Sequence, residues 1–598
     1  MEKTYPDISR RISEEVLPRV QGPGQYVGLE TNARRKDVHS AEVTVALAFP
    51  DAYTIGVSHV GGAVLYHAMN DLPFVACDRT YCPQPDAEEV MRTRGVSLFG
   101  WESRTPLRDF DVLGFSLAYE LCVTNVLTML DLAGIPPLAR ERTEQDPLIV
   151  GGDALADSPE PLADFFDVFF PGDGEEPLRA LVELLRRRKN EYLAQALSRE
   201  ALLLEIARTV PSAYVPRFYR FEENHVVPAR TDVPATIHRA CVADLGDSPV
   251  PHAPLVPLFE GVHERVVIEI MRGCPNLCRF CQAGHVRLPV RRRGVEEILA
   301  AARVGIAATG FREISLLSLS ASDYPNLDEL IEKLNAEFAG QHVSISLPSL
   351  RADAQLRLLP KLTGAVRPTG LTLAAEAGSQ RLRDAIRKGI TEADMLAGVQ
   401  AAWRAGLRSV KVYFIAGLPG ETPEDIDAIF DLCLRLSDTR RDVDGRRGAV
   451  TAAVSWFVPK PHTPMQWSAI RRAEYFWSVR ERLRELSARS PITFKFHRIE
   501  QSLLEGLLSR GGREVGEVIL TAWRNGARMD SWTEHWRWET WQSALAETGL
   551  DFDAVVHEEL PLDAPLPWSH IRPHLDEAYL RREYKAMTAL RNDESADA

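Results

Sequence analysis

The sequence predicts an α/β protein with an N-terminal doubly wound, Rossmann-like domain, a central partial (β/α)6 TIM-type barrel and a mainly helical C-terminal domain. Three observations support this prediction. Two long segments alternate apolar, β-rich runs with helix-like stretches, as parallel sheets covered by helices do. A Pro-rich stretch separates these segments. The last part of the chain changes to helix-like segments rich in Trp.

The N-terminal domain is predicted to span residues 1–246. Its strand-like runs include Val43–Phe49, 111–117 and 147–152, and helix-like stretches such as GAVLYHAMN and TNVLTMLDLAG lie between them. Doubly wound sheets bind ligands in the loops at the carboxyl ends of their strands. The candidate ligand loops are therefore the segment 50–62 and the turns at 151–152 and 172–174.

The central barrel is predicted over residues 262–485, after a linker at 247–261. About six βα units follow one another there, with the strand-like runs RVVIEIM, REISLLSLS, VSISLPS, LTLAAEAG, SVKVYFIAG and AAVSWFVP. In a (β/α) barrel the loops after the strands carry the chemistry. We therefore expect the functional residues in those loops.

The C-terminal domain is predicted over residues 486–598 and contains a cluster of tryptophans. A Trp cluster can stack on nucleobases or fill a small core. We interpret this one as core packing. Its members are Trp523, Trp532, Trp536, Trp538 and Trp541.

Composition excludes several classes of protein. The formal net charge of −14 disfavours a general polyanion-binding surface. The charged N-terminus is not a secretory signal, and no run reaches the roughly 18 apolar residues of a membrane span. We predict a cytoplasmic protein without membrane contact.

Of its eight cysteines only one group is tightly spaced, so a disulfide framework is not expected. Cys77 and Cys82 either form a second metal or redox pair or are incidental.

The segment MRGCPNLCRFCQAGH carries the strongest chemical signal. It spaces Cys274, Cys278 and Cys281 as C-x3-C-x2-C directly after a predicted strand. Thiolates are the ligands of iron-sulfur clusters, and three of them bind three irons of a cubane and leave the fourth open to a small chelating ligand. The alternative is a structural zinc site completed by His285.

This segment resembles the signature of the radical S-adenosylmethionine (SAM) superfamily, C-x3-C-x-aromatic-C, in which Phe280 supplies the aromatic residue. The resemblance implies a [4Fe-4S] cluster that binds SAM and cleaves it to methionine and a 5′-deoxyadenosyl radical. It also implies a one-electron donor such as flavodoxin or ferredoxin. The substrate class stays open among small molecules, RNA and protein.

Later segments are similar to the methylthiotransferase branch of that superfamily. GFREISLLSLSASDY implies that Ser318 and Ser320 lie near the SAM amino group. EAGSQRLRDAIRKG implies that Glu376 and Ser379 contact SAM and that Lys388 meets its carboxylate. The alternative for the glutamate is a plain ion pair with one of two arginines, Arg383 or Arg387.

The N-terminal domain looks like that of cobalamin-binding radical SAM proteins of an uncharacterised fused subgroup, for example in FPDAYTIGVSHVGGAVLYHAMN. In the pattern D-x-H-x-x-G, His59 and Gly62 fit but Val57 occupies the aspartate position. Two interpretations stay open: cobalamin-dependent methyl transfer, or a domain that is vestigial or used for substrate recognition. The alternatives to a cobalamin enzyme are an RNA-modifying methylthiotransferase-like enzyme and a non-catalytic iron-sulfur binding or sensing protein.

Overall fold

The computed structural model describes residues 7–259, 261, 264–347 and 371–592. Its first body is a five-stranded parallel sheet with the strand order β2-β1-β3-β4-β5. The strands are β1 (Val43–Phe49), β2 (Val75–Tyr81), β3 (Val112–Ser116), β4 (Leu148–Gly152) and β5 (Val168–Phe170). The helices that cover it are α1 (Val60–Asp71), α2 (Pro85–Arg94), α3 (Val123–Leu132), α4 (Glu175–Leu193) and α5 (Arg199–Thr209). The predicted doubly wound domain is confirmed.

The strands of this sheet are almost continuously buried, because helices cover both faces of a parallel sheet. The strand that follows β1 in the chain, β2, lies on one side of β1, and the next strand, β3, lies on the opposite side. The direction in which strands are added to the sheet therefore reverses between β1 and β3. Ligands bind at such a reversal, beyond the carboxyl ends of the strands. Three buried charged side chains form an ion triad next to the edge strand β5. The Asp167 carboxylate, directly before that strand, accepts hydrogen bonds from Arg142 (3.1 Å) and Arg199 (2.8 Å).

For Cys77 and Cys82, predicted either to form a metal or redox pair or to be incidental, the structure argues against a disulfide. Both are buried, and Cys77 lies inside β2, four residues before the strand ends at Tyr81. At about 3.3 Å per strand residue, their α-carbons are more than about 9 Å apart, beyond the reach of a disulfide. Each thiol instead faces a backbone oxygen, that of Asp78 or of Pro83.

The second body contains the strands of the predicted barrel, in two parallel sheets. A three-stranded sheet holds β6 (Val266–Glu269), β7 (Glu313–Leu317) and β8 (Ser344–Ser346), and a four-stranded sheet holds β9 (Leu371–Glu376), β10 (Ser409–Ala416), β11 (Ala449–Trp456) and β12 (Ile492–Phe496). The accompanying helices are α6 (Gln282–Val286), α7 (Val295–Thr309), α8 (Leu327–Glu337), α9 (Gln380–Ala385), α10 (Glu392–Arg404), α11 (Pro423–Asp438) and α12 (Ala473–Ser487).

One strand of this body was missed by the sequence analysis. The run Ile492–Phe496 pairs in parallel with Ala449–Trp456 and extends the four-stranded sheet, although it was assigned to the helical C-terminal region. It is only five residues long and has two exposed polar side chains, Thr493 and Lys495. Such a short run at a sheet edge gives a weak strand signal.

The C-terminal region is helical, as predicted. Its helices are α13 (Ile499–Arg510), α14 (Val515–Arg524), α15 (Trp538–Thr548), α16 (Phe552–His557) and α17 (Glu577–Asn592). Trp541 and Trp536 are buried, and Trp532 donates to the buried Asp51 of the N-terminal domain at 2.7 Å. The Trp cluster therefore packs in the core, as interpreted from sequence, and Trp532 in addition connects the C-terminal region to the N-terminal domain. In the part of the chain that the structure describes, no helix is long and apolar enough to cross a membrane.

Candidate cluster and cofactor site

The three-cysteine loop lies at the carboxyl end of β6, between the short strand Met271–Arg272 and helix α6. Gly273 enters the loop with φ of +88°, and a Cβ there would lie 2.7 Å from the backbone oxygen of Arg287. Only glycine fits this position without a shift of backbone. The loop is closed by a hydrogen bond from the Cys281 amide to the Cys278 carbonyl (2.9 Å).

The thiols of this loop are partly buried and act on one another electrostatically. Burial, together with the other two thiols and Glu376, raises the pKa of Cys278 to about 11, although the charge of Lys388 opposes the rise. Burial likewise raises the pKa of Cys281. Because the pKa values of Cys278 and Cys281 are raised, these two thiols are protonated at neutral pH, and binding of a metal cluster has to release their protons.

The donor set fits a cubane cluster better than zinc. His285, the fourth ligand of the zinc alternative, is fully buried; its Nδ1 lies 2.8 Å from the backbone oxygen of Cys281, one helical turn earlier, and its Nε2 has no hydrogen-bond partner among the described residues. Over residues 7–259, 261, 264–347 and 371–592, no three His, Cys, Asp or Glu side chains converge on one metal position. Zinc needs such convergence, whereas the three thiolates of a cubane each bind a separate iron.

Glu376, Lys388 and Phe280 come together beside the loop. Glu376 ends β9 after a register irregularity and has φ of +66°, an uncommon backbone for a residue other than glycine. Its Oε1 accepts from Lys388 Nζ at 3.0 Å, and that ammonium lies 6.0 Å from the Phe280 ring centroid.

The alternative arginine pairs for Glu376 are not formed. Arg383 donates to the backbone oxygens of Ala377 and Gly378. Arg387 donates to Tyr579 and Glu583 of the C-terminal helix. Glu376 therefore has a lysine partner that itself faces the cysteine loop.

Ser318 and Ser320 follow β7 and are both buried. Ser320 Oγ donates to Asp323 (2.6 Å), which also accepts from Asn276 of the cysteine loop (2.7 Å). Ser318 Oγ is buried with no hydrogen-bond partner among the described residues. An unsatisfied buried hydroxyl costs free energy, so it marks a place where a polar group of a ligand fits.

Ser379, a predicted SAM contact, lies at the start of α9. It is the N-cap of α9, where its Oγ accepts from the Leu382 amide (3.2 Å) and donates to Asp425 (2.5 Å). Its hydroxyl is therefore engaged in starting the helix. The preceding turn brings Glu376 and the helix into place.

Glu421 is a buried residue of this region that the sequence analysis did not single out. It accepts from the Gly417 amide (2.6 Å) and from Tyr475 OH (2.5 Å), at the turn after β10. Burial raises its pKa to about 7. The signal that could have revealed it is the turn sequence GLPGE, in which a carboxylate follows closely spaced glycines at a strand end.

A cavity of about 440 Å³ lies between the N-terminal sheet and the helix of the cysteine loop. One wall is formed by the carboxyl ends of β1, β3 and β4, and the other by α6 with the ends of β6 and β7. Representative lining residues are His59, Gly114, Gly152, Ala283, Arg287 and Leu317. The volume falls in the range of cofactor pockets, about 300–1,000 Å³.

Two glycines keep the sheet side of this cavity open. A Cβ at Gly152 would meet no atom closer than 3.9 Å, and one at Gly114 none closer than 3.4 Å. Packing alone does not require glycine at either position. Side chains there would take up space beside the cavity, which suits a bulky ligand.

His59 lies at the cavity with both ring nitrogens engaged. Its Nδ1 accepts from the Gly62 amide (3.0 Å) as the N-cap of α1, and its Nε2 lies 3.2 Å from Asp153 Oδ2. Burial opposes ionisation of Asp153, but the His59 contact and the Arg287 charge lower its pKa. Asp153, which follows β4, therefore supplies a carboxylate partner that the sequence around Val57 lacks.

Comparisons with known proteins agree with this architecture. Residues 61–216 match the family "Radical SAM proteins, N-terminal", and residues 268–433 match the radical SAM superfamily. Uncharacterized protein MJ0966 of Methanocaldococcus jannaschii is 25% identical over 480 residues, which cover 79% of this chain and 90% of that protein. The ribosomal protein uS12 methylthiotransferase RimO of Pelotomaculum thermopropionicum is 26% identical over 331 residues, 51% of this chain and 67% of that protein.

Among solved structures, the radical S-adenosylmethionine methyltransferase TsrM from Kitasatospora setae, with cobalamin and a [4Fe-4S] cluster bound, is similar with a TM-score of 0.47 and 14% identity. The match covers 93% of this chain and 100% of that one. The family matches confirm the resemblance drawn from the sequence, including SAM and a [4Fe-4S] cluster as the cofactors of such a domain.

Proposed function

Because this chain is an enzyme of the radical SAM superfamily, we propose that it cleaves SAM at a [4Fe-4S] cluster held by Cys274, Cys278 and Cys281. We propose further that a corrinoid occupies the cavity beside that loop and serves methyl transfer to the substrate. The observation that carries the second part is the cavity itself. It joins the ligand-binding edge of the N-terminal sheet to the helix that follows the cysteines.

The three cysteines are the proposed cluster ligands, since they share one loop and none is bonded to another residue's sulfur. When bound, the cluster supplies the electron that breaks a carbon-sulfur bond of SAM. Asn276 Nδ2, 3.4 Å from Cys274 Sγ, is placed to donate to that sulfur. Such outer contacts orient metal ligands and tune the metal.

Four residues are the proposed SAM contacts. Lys388 offers a cation for the SAM carboxylate and Glu376 an acceptor for its ammonium, and their 3.0 Å contact holds both side chains beside the loop. Ser318, directly after β7, offers a hydroxyl that has no hydrogen-bond partner among the described residues. Phe280 supplies an apolar surface within 6.0 Å of Lys388. Ser320 and Ser379 support these residues through Asp323 and Asp425.

The corrinoid is proposed to bind without a histidine ligand. A ligating histidine needs a free ring nitrogen, but His59 uses one nitrogen to cap α1 and the other to contact Asp153. The open glycine surface at Gly114 and Gly152 then forms one side of the binding site. The side chains of α6 form the other side, next to the proposed cluster.

Anaerobic reconstitution tests this proposal. The protein, loaded with iron, sulfide and hydroxocobalamin, is reduced and supplied with SAM, and 5′-deoxyadenosine and S-adenosylhomocysteine are quantified. We expect 5′-deoxyadenosine from the wild type and from Cys241→Ser, a matched thiol outside the loop, but none from Cys278→Ser. Full activity of Cys278→Ser would refute the cluster assignment.

The proposed corrinoid site is tested separately, by the corrinoid spectrum that the protein retains. After desalting, the wild type and the control Ala307→Leu, which adds the same side chain on an exposed helix face, should retain the corrinoid spectrum. Gly152→Leu should lose it, because the new side chain enters the cavity. Equal retention by Gly152→Leu, or none by the wild type, would refute the site. S-adenosylhomocysteine that forms without added corrinoid would refute corrinoid-dependent methyl transfer.

A further inference from the structure

The four-stranded sheet has an inner face, turned away from the helices that cover its outer side, and this inner face carries polar, partly exposed side chains. The proposed function uses residues only at the edge formed by the carboxyl ends of its strands. Along β10, Val410, Val412 and Phe414 are buried against the outer helices, whereas Lys411 and Tyr413 point to the opposite side. Tyr413 is 37% exposed, although it lies in the middle of a central strand. The lumen of the barrel is therefore accessible from this face.

The strand register orders these side chains into rows. Lys411 is paired with Thr372 on one side and Thr451 on the other. In the next row, nearer the carboxyl ends, Tyr413 is paired with Ala374 and Ala453, and Ala453 is paired with Lys495.

Of the two alanines in this second row, Ala374 is exposed, whereas Ala453, between Tyr413 and Lys495, is buried. Strands lie about 4.8 Å apart, so the α-carbons of Tyr413 and Lys495 are about 10 Å apart with only a methyl group between them. The phenol and the second lysine are therefore close enough to contact the same small ligand group.

Lys411 and Tyr413 direct hydrogen-bond donors toward the same space. Lys411 Nζ donates to Tyr413 OH at 2.7 Å and lies 4.5 Å from the centroid of that ring. Because the phenol oxygen accepts this bond, its own proton is available to another acceptor. The ammonium keeps two further N–H groups. The pair therefore presents convergent donors and one positive charge.

The charge of this face comes from two lysines, Lys411 and Lys495. Among the described residues, neither Lys411 nor Lys495 has an acidic partner within ion-pair distance. On the opposite sheet, Glu313 pairs with Arg265 (3.1 Å) and Glu269 with Arg272 (2.9 Å). Unpaired cations in a concave site attract anions more strongly than the same cations on an open surface.

We propose that Lys411, Tyr413 and Lys495 form a lumen anion site that binds the carboxylate or phosphate group of a small-molecule substrate. This inference rests on the proposed radical SAM function, because it assigns the substrate class to that barrel. Tyr413 lies three residues before β10 ends at Ala416, or about 10 Å below the edge that carries the cysteine loop. A substrate anchored by its acidic group in the lumen then extends its reacting carbon toward that edge.

The test uses the reconstituted enzyme and two probes, inorganic phosphate and succinate, whose binding is followed by NMR line broadening. We expect Lys411→Met and Lys495→Met each to weaken binding about tenfold, and Tyr413→Phe about threefold. Lys585→Met, which removes an exposed lysine from the C-terminal helix, should leave binding unchanged. Iron content and circular dichroism verify that each variant is folded.

Each outcome decides the proposal. Preference for phosphate identifies a phosphate ester as the substrate class, and preference for succinate identifies a carboxylic acid. Equal affinity of the wild type and Lys411→Met, an equal loss in Lys585→Met, or no binding of either probe would overturn it. SAM cleavage by the wild type is measured in the same samples. Its absence together with Lys411-dependent anion binding would refute the proposed function and leave the anion site standing.

Discussion

Glu421 provides a quantitative test of the electrostatics around the site. Burial raises the pKa of this carboxyl from its ordinary 4.5 to about 7. The folded protein therefore binds more protons here than the unfolded chain, and stability is lost as pH rises from about 4.5 through about 7. The difference of about 2.5 pH units corresponds to about 3.5 kcal/mol when the carboxyl is fully ionised.

Glu421→Gln should remove this pH dependence. A glutamine oxygen can still accept from the Gly417 amide and from Tyr475, but it never ionises. The free energy of unfolding of the variant, relative to that of the wild type, should therefore increase by about 2.5 kcal/mol as the pH rises from 5 to 8.

The assay is hydrogen exchange of peptides from β10 and α11 at several pH values, because local stability is meaningful in a multidomain protein. Glu424→Gln removes an exposed carboxylate from the same helix and serves as the control. If the difference between Glu421→Gln and wild type stays constant between pH 5 and pH 8, the reasoning fails.

Two further predictions concern charged groups in contact with named partners. Lys388→Met should weaken SAM binding about tenfold and leave the iron content unchanged, because it removes the proposed cation for the SAM carboxylate; equal affinity in equilibrium dialysis would reject that role. Asp167→Asn should lower the free energy of unfolding of the N-terminal domain by about 3–5 kcal/mol, because Arg142 and Arg199 lose their buried carboxylate. Hydrogen exchange of peptides from β4 and β5 measures this loss, with Asp164→Asn as an exposed control, and a loss below about 1 kcal/mol would contradict it.

Several parts of the proposed site could be predicted because they are local in sequence. Cys274, Cys278 and Cys281 lie on one short loop, so their spacing alone places them together. Glu376 and Lys388 are separated by one short helix, and their 3.0 Å contact follows from that local geometry. The environment of Ser379 could also have been anticipated, since a serine that precedes a helical run is a common N-cap.

The sequence by itself determined the fold class, because buried parallel strands and amphipathic helices have distinct periodicities. The periodicity of apolar residues predicts which side of a helix or strand is buried, but it does not predict which element, distant in sequence, packs against that side. Only the tertiary structure decided that Asp153 contacts His59, that the cavity lies between two domains, and that Ala374 and Ala453 flank Tyr413. These contacts depend on strand order, register and domain packing, which are set by the combined burial of residues far apart in the chain.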